Sequence, residues 1–251
     1  MKIAKLITFS MIIIVLFYIT DMLDGQTKQV VFVTDIQAPY SGPALMDNGF
    51  FTEIVTEAFK RAGYTCNIKY MPMEKAVEFA KEGKADGFLA RVYAEENEAF
   101  FVHSEPVFES EVNFYSKKGS NITFDNLSDL TSYRIGVIRD DFNTGKFDAT
   151  DELNIIYISN PEDFIDALLL NRVDLILYSK QVVLSLLKHR YSDAGNLLDT
   201  IGRPLNTNTF HALFSRNAIG YDEKVNDFNR GLSKIIADGT LSAITGKHFS
   251  L

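Results

Sequence analysis

The sequence predicts an α/β fold built from two successive units, and three observations predict it. Short apolar runs of strand composition alternate with helical stripes, first from Gln29 to Ala90 and again from Tyr133 onward, which is the pattern of parallel strands joined by helical crossovers. A polar break at Lys117 to Asn121 separates the two series. The tail carries two helical segments and no strand of its own, so it must pack on a sheet formed earlier in the chain.

The elements follow in order. Lys2 and Lys5 precede Leu6 to Ile19, an apolar run broken only by Thr8 and Ser10. A basic stretch followed by a short apolar core predicts a secretory signal peptide over residues 1–25, with Gly25 the best small residue at its end. The run falls short of the ~20 apolar residues of a membrane span, and an uncleaved anchor is the alternative because no A-x-A pattern follows. Gln29 to Ile36 is a strand with little alternation, so both its faces should be covered. The loop Ala38-Pro39-Tyr40-Ser41-Gly42-Pro43 follows, and Asn48 is expected to cap a helix. Phe50, Phe51, Ile54, Val55, Ala58 and Phe59 form its apolar stripe, with Gly63 as the stop. Thr65 to Met71 is a second strand, Pro72 opens a second helix at its first position, and Asp86 to Ala90 is the third strand.

Glu111 to Lys117 is a further strand. The second unit has strands at Tyr133 to Ile138, Asn154 to Ser159 and Val173 to Tyr178. Arg139-Asp140-Asp141 leads into a possible helix, Asn160-Pro161-Glu162-Asp163 starts another, and Val182 to His189 is helical. Asn206 to Phe214 returns as an extended segment. The tail helices run from about Asp222 to Ala237 and from Leu241 to His248, divided by Asp238-Gly239. The chain therefore passes between the units near 111–120 and crosses back near 205–213.

Composition narrows the function. The chain has 251 residues, 46% of them hydrophobic, enough for one large or two small packed cores. A net charge of −8 argues against a nucleic-acid partner. The four His and one Cys are scattered without ligand spacing, so no metal site is expected. Cys66 has no partner for an intrachain disulfide and reads as a small buried apolar residue. No G-x-S-x-G or Gly-rich phosphate motif occurs, so catalytic signals are weak. The Ala85 to Phe108 stretch draws the eye, because Gly87 to Ala90 is an apolar strand that ends at Arg91 and enters a polar turn. In open α/β sheets, ligands lie at the carboxyl ends of strands.

The segments APYSG, NGFFTEIVTEAFKRAGY, KEGKADG, FVHSEPVF, DLTSYRIGVI, NRVDLILYS and FNRGLSKIIADGTLSAITGKHF stand in a recognisable order and spacing. In that order the chain resembles the family 3 extracellular solute-binding proteins from about Val30 to Leu251. Met71-Pro72-Met73-Glu74-Lys75-Ala76 is similar to the P-W-x-R-A segment of a divergent branch. The resemblance implies the type II periplasmic binding fold: two lobes of mainly parallel sheet flanked by helices, with two hinge crossings and a ligand enclosed on closure. Lobe 1 would comprise 28–112 with 210–251, and lobe 2 would comprise 113–209.

The same resemblance marks departures. Where α-amino-acid binders carry an Arg for the ligand carboxylate, this chain has Asn97. Where they carry an Asp for the ammonium, it has Ser179. Their Gly-Thr after the first lobe 2 strand corresponds to Asp140-Asp141. Arg91, at a strand end, is the candidate replacement for the carboxylate partner, unless it pairs with Glu95 or Glu96. Tyr40 lies in the loop where the family places an aromatic against the ligand. Asp140 and Asp141 could hold a cationic group, or one could cap a helix beside a solvated neighbour. The candidate ligand-binding set is thus Tyr40, Arg91, Asn97, Asp140, Asp141 and Ser179. His103 is read as packed and not catalytic, and Phe50 and Phe51 as core.

The expected function is an exported periplasmic solute-binding protein, a monomer without cofactor, that passes a small polar ligand to the membrane subunits of an ABC-type transporter. A ligand sensor for a membrane receptor and a dehydratase-like enzyme on the same fold are the alternatives.

Overall fold

The computed structural model describes residues 28–90, 98–138, 152–191 and 197–250. The segment 1–25, expected from sequence to be a signal peptide, lies outside them. Strand β1 (Lys28–Thr34) is followed by helix α1 (Phe50–Arg61), β2 (Tyr64–Tyr70), α2 (Met73–Lys81), β3 (Gly87–Ala90) and the short β4 (Phe101–His103). Strand β5 (Phe108–Lys117) leads to β6 (Arg134–Ile138), β7 (Asn154–Ile158), α3 (Phe164–Leu169), β8 (Leu175–Ser179) and α4 (Lys180–Arg190). The long β9 (Leu198–Ser215) returns to α5 (Tyr221–Ala237) and α6 (Thr240–Phe249).

Among the described residues the strands form one nine-stranded sheet ordered β2-β1-β3-β9-β5-β8-β6-β7, with β4 paired to β9. Each end of the sheet is a parallel trio: β1 pairs parallel with β2 and β3, and β6 pairs parallel with β7 and β8. Antiparallel β9 and β5 lie between the trios. The fold is mixed α/β, with helices flanking a central sheet.

An acidic residue enters each trio in the same way. Asp86, just before β3, accepts the Val31 amide of β1 at 2.7 Å and the Lys224 ammonium at 2.5 Å. Asp174, just before β8, accepts the Arg134 amide of β6 at 2.8 Å and the Arg134 guanidinium at 2.8 and 3.0 Å. In both places the carboxylate satisfies a backbone N–H of the trio's central strand beside the point where the neighbouring strand begins.

The core is continuous across the molecule. One cluster runs from Phe32, Phe59, Phe214 and Phe228 through Phe210 and Tyr40 to Tyr178, Phe164 and Leu187. A smaller cluster, including Val33, Ala76, Phe88 and Phe101, packs α2 on one trio, and Phe114, Ile135, Val137 and Leu177 cover the other. The stripe of α1 is buried as the spacing predicts, Phe50 and Phe51 included.

Three expectations are corrected. Asn48 does not cap α1: it closes a 3-10 turn over Met46–Asn48, and Gly49 holds the cap position at φ 100°. The orphan amides at the start of α1 are satisfied by backbone instead, Phe50 N–H donating to Pro39 O and Phe51 N–H to Tyr40 O, each at 2.9 Å. A Cβ on residue 49 would lie 2.6 Å from the Tyr40 carbonyl oxygen, so the close approach requires glycine. Pro72 stands one place earlier than expected, at the cap of α2 with ψ 143°. The return strand is twice as long as its composition suggests, starting at Leu198. Gly202 and Pro204 fall where its ladder with β5 is interrupted, between the Ile201–Phe114 and Asn206–Val112 pairs. Breaker residues there are tolerated because no ladder bond is asked of them.

Candidate functional site

The β5–β9 pair is the sole link between the two trios in the strand order of the described residues. Its ladder is regular from Phe108–Phe210 to Val112–Asn206 and then shifts register. On its other edge β5 pairs with β8 from Val112–Ser179 onward. The stretch Phe108 to Val112 is therefore where one half of the molecule gives way to the other.

Aromatic rings fill this point. Phe108 and Phe210 stack at 4.2 Å and 19°. The Tyr40 ring lies against Phe210 at 5.1 Å and 23°, and against Phe108 at 6.0 Å and 15°. Phe50 and Phe51 meet Phe108 edge-on at 4.9 and 5.3 Å. Offset and edge-on pairs of this kind add roughly 0.5–1.5 kcal/mol each beyond their burial.

A chain of hydroxyls crosses the same point. Tyr40 Oη lies 2.6 Å from Ser179 Oγ, Ser179 Oγ lies 2.9 Å from Ser110 Oγ, and the Ser110 hydroxyl donates to Gln181 Oε1 at 2.5 Å. Tyr40 is 4% exposed, and Ser110 and Ser179 are 1% exposed. Of the six candidate ligand-binding residues the structure thus brings Tyr40 and Ser179 together, in direct contact. Arg91, Asn97, Asp140 and Asp141 lie outside the described residues. Ser110, Gln181, Phe108 and Phe210 join the site without having been singled out by sequence. Ser110 sits in an alternating strand run, FESEVNF, where nothing local distinguishes a bridging serine from any other.

The electrostatics of the cluster are those of neutral groups. Charge enters at its edge, where Lys180 pairs with Glu111 at 3.1 Å in solvent. Burial pushes the neighbouring Tyr115 phenol well above its ordinary value, so it stays protonated. His103, on β4, rests against His211 at 5.5 Å, and burial, then the His211 charge, lower its pKa. It is packed, as its sequence context predicts.

Two further features flank the site. A cavity of about 640 Å³ lies between the 38–46 loop and the last turns of α4, with Pro39, Leu45 and Leu186 on its apolar side and His189 and Arg190 at its rim. Asp47, Glu53 and His248 bring ligand atoms within 4.8 Å of one another. The Lys247 ammonium already bridges Asp47 at 2.9 Å and Glu53, so it supplies the positive charge that a metal ion would bring.

Paired parallel trios joined by two crossing strands define an α/β fold of the type II periplasmic binding class. Solved structures share the fold, among them these. The L-cystine solute receptor of Neisseria gonorrhoeae matches with a TM-score of 0.71 at 19% identity, covering 90% of this chain and 94% of that one. Substrate binding domain 2 of Lactococcus lactis GlnP matches at 0.71 and 15%, covering 90% and 97%. The second substrate binding domain of a putative amino acid ABC transporter from Streptococcus pneumoniae matches at 0.69 and 20%, covering 89% and 100%. The chain belongs to the bacterial extracellular solute-binding proteins, family 3, whose family model matches residues 32–251. Among curated proteins, no sequence matches it. Among the described residues no helix is long and apolar enough to cross a membrane.

Proposed function

We propose that this protein is an exported solute-binding protein that encloses a small polar ligand between two lobes and delivers it to an ABC-type transporter. The lobes would be residues 28–112 with 210–251, and residues 113–209. The observation that carries the reading is the strand order. In the strand order of the described residues the two parallel trios are joined only through β9 and β5, and a ribbon of two strands can serve as a hinge. Family membership supports binding over catalysis.

The ligand would lie at the carboxyl ends of the trios, with Arg91 and Asn97 at the mouth of one lobe and Asp140 and Asp141 at the other. Tyr40 and Ser179 would form the floor beside the hinge. Ser179 is neutral, and its hydroxyl is engaged by Tyr40 and Ser110. It cannot supply the charge that holds an α-ammonium group. Nor does Asn97 carry charge for a carboxylate. A charge-assisted hydrogen bond is worth roughly 1.5–3 kcal/mol, so two missing partners weaken common amino acids by roughly two to four decades. The preferred ligand carries an anionic or strong acceptor group toward Arg91, and a donor or cationic group toward Asp140 or Asp141.

A thermal-shift screen of polar metabolites tests this, since a ligand specific to the folded state raises Tm by mass action. The hit should bind with 1:1 stoichiometry in calorimetry, lose affinity in Arg91→Ala and reduce the radius of gyration in small-angle scattering. An unchanged radius at saturation overturns the hinge. Submicromolar binding of an ordinary amino acid overturns the ligand class.

A further inference from the structure

We propose that Tyr40, Ser179 and Ser110 form a hydroxyl lock at the pivot, which holds the two halves at one angle through contacts of the protein with itself. The inference rests on the two-lobe reading above and adds a device to it. Tyr40 belongs to the first half: the amides of Phe51 and Thr52 at the start of α1 donate to its carbonyl at 2.9 and 3.3 Å, and its ring packs on Phe210. Ser179 belongs to the second half, as the last residue of β8. The 2.6 Å contact between their hydroxyls spans 139 positions of sequence and lies across the Phe108–Val112 stretch, where the β5–β9 ladder passes from one half to the other. Ser110, inside that stretch, touches Ser179 from the ribbon itself at 2.9 Å.

The geometry makes the contact sensitive to rotation. All three groups are buried to 4% exposure or less, so a hydroxyl pulled away from its partner loses a hydrogen bond without gaining one to water. The Tyr40 ring cannot follow Ser179, because Phe210 and Phe108 stack against it and its backbone is pinned to α1. A rotation about the ribbon therefore breaks the Tyr40–Ser179 bond before it disturbs either trio. The Gln181 side chain closes the far end of the chain by accepting from Ser110. A ligand that favours this angle inherits the lock, and one that needs another angle must break it.

The test is a distance between spin labels on the two halves, at Lys60→Cys and Ser128→Cys in a Cys66→Ala background, measured by double electron–electron resonance on ligand-free protein. The parent should give one narrow distance. Tyr40→Phe removes only the hydroxyl and Ser179→Ala only its partner. Each should raise the population outside the parent peak roughly three- to tenfold, the equivalent of one net hydrogen bond. The double variant should shift no further than Ser179→Ala, because that substitution already removes the Tyr40 bond together with the Ser110 contact. Ser110→Ala, which leaves the Tyr40–Ser179 contact standing, should shift less. Circular dichroism and Tm confirm that each variant is folded, and Tyr40→Phe alone decides if Ser179→Ala is not. Distributions for Tyr40→Phe that superimpose on the parent overturn the lock. If a hit from the thermal-shift screen still shortens the distance in that case, the hinge stands and only the lock falls.

Discussion

Asp174 shows how a single residue ties strand entry to pH. The Arg134 guanidinium, bonded to both its oxygens, holds its carboxyl below the usual carboxylate range, and the Arg134 amide adds to this. A depressed folded-state pKa means that the stabilisation is fully present above the unfolded value of about 3.9 and is lost as pH falls through the folded value. Asp174→Asn should therefore lower stability by about 1–2 kcal/mol at pH 7, a modest figure because the pair is part-exposed. The gap to the parent should close as pH drops below about 4, read by urea unfolding across pH. Cys66 is the other case. Burial, helped by the Asp86 charge, pushes its thiol up to about 12. Cys66 is half-buried rather than fully buried as its sequence context suggests, but since the thiolate is the reactive form, Ellman's reagent at pH 8 should titrate it far more slowly in native than in denatured protein; equal rates would contradict its packing against the core.

At the scale of elements, the tail helices depend on a close crossing. A Cβ at Gly231 of α5 would stand 1.9 Å from the Ala58 carbonyl oxygen of α1. Backbone cannot yield as a side chain does, so Gly231→Ala should force α5 off α1 and cost about 1–3 kcal/mol, as overpacking does. Gly246 of α6 is the control, because the nearest atom to its added Cβ is Ser250 Oγ at 3.6 Å, an ordinary contact. Gly246→Ala should be neutral or stabilise by up to about 1 kcal/mol through helix propensity. Equal destabilisation of the two variants in thermal unfolding would mean that the crossing is looser than its geometry.

For the whole molecule, export and exchange of ligand set the expectations. N-terminal sequencing of the exported protein should begin between about Asp21 and Lys28. A product that retains Met1 and remains with membranes would instead mark the N-terminus as an anchor. Cleavage after Gly25 removes two Lys and two Asp, so the mature charge stays at −8. In the proposed reading the hinge closes within one chain, so the solution mass should stay that of a monomer with and without ligand.

The sequence by itself determined the α/β class, the order of nearly every element, the apolar stripe of α1 and the dependence of the tail helices on an earlier sheet. These rest on periodicity and on breakers such as Gly63 and Gly239, which act within a turn or two and so are legible locally. Tertiary structure alone decided that Gly49 and not Asn48 caps α1, because the donors Phe50 and Phe51 meet the carbonyls of Pro39 and Tyr40, in a loop well upstream. It also decided that a segment interrupted by Gly202 and Pro204 runs as one strand, since pairing with β5 on both sides of the interruption outweighs local propensity. The bond between Tyr40 and Ser179 was legible only as two names in a candidate set. Their separation of 139 residues carries no local signal, and their contact exists because two half-sheets meet at one ribbon and exclude water from it.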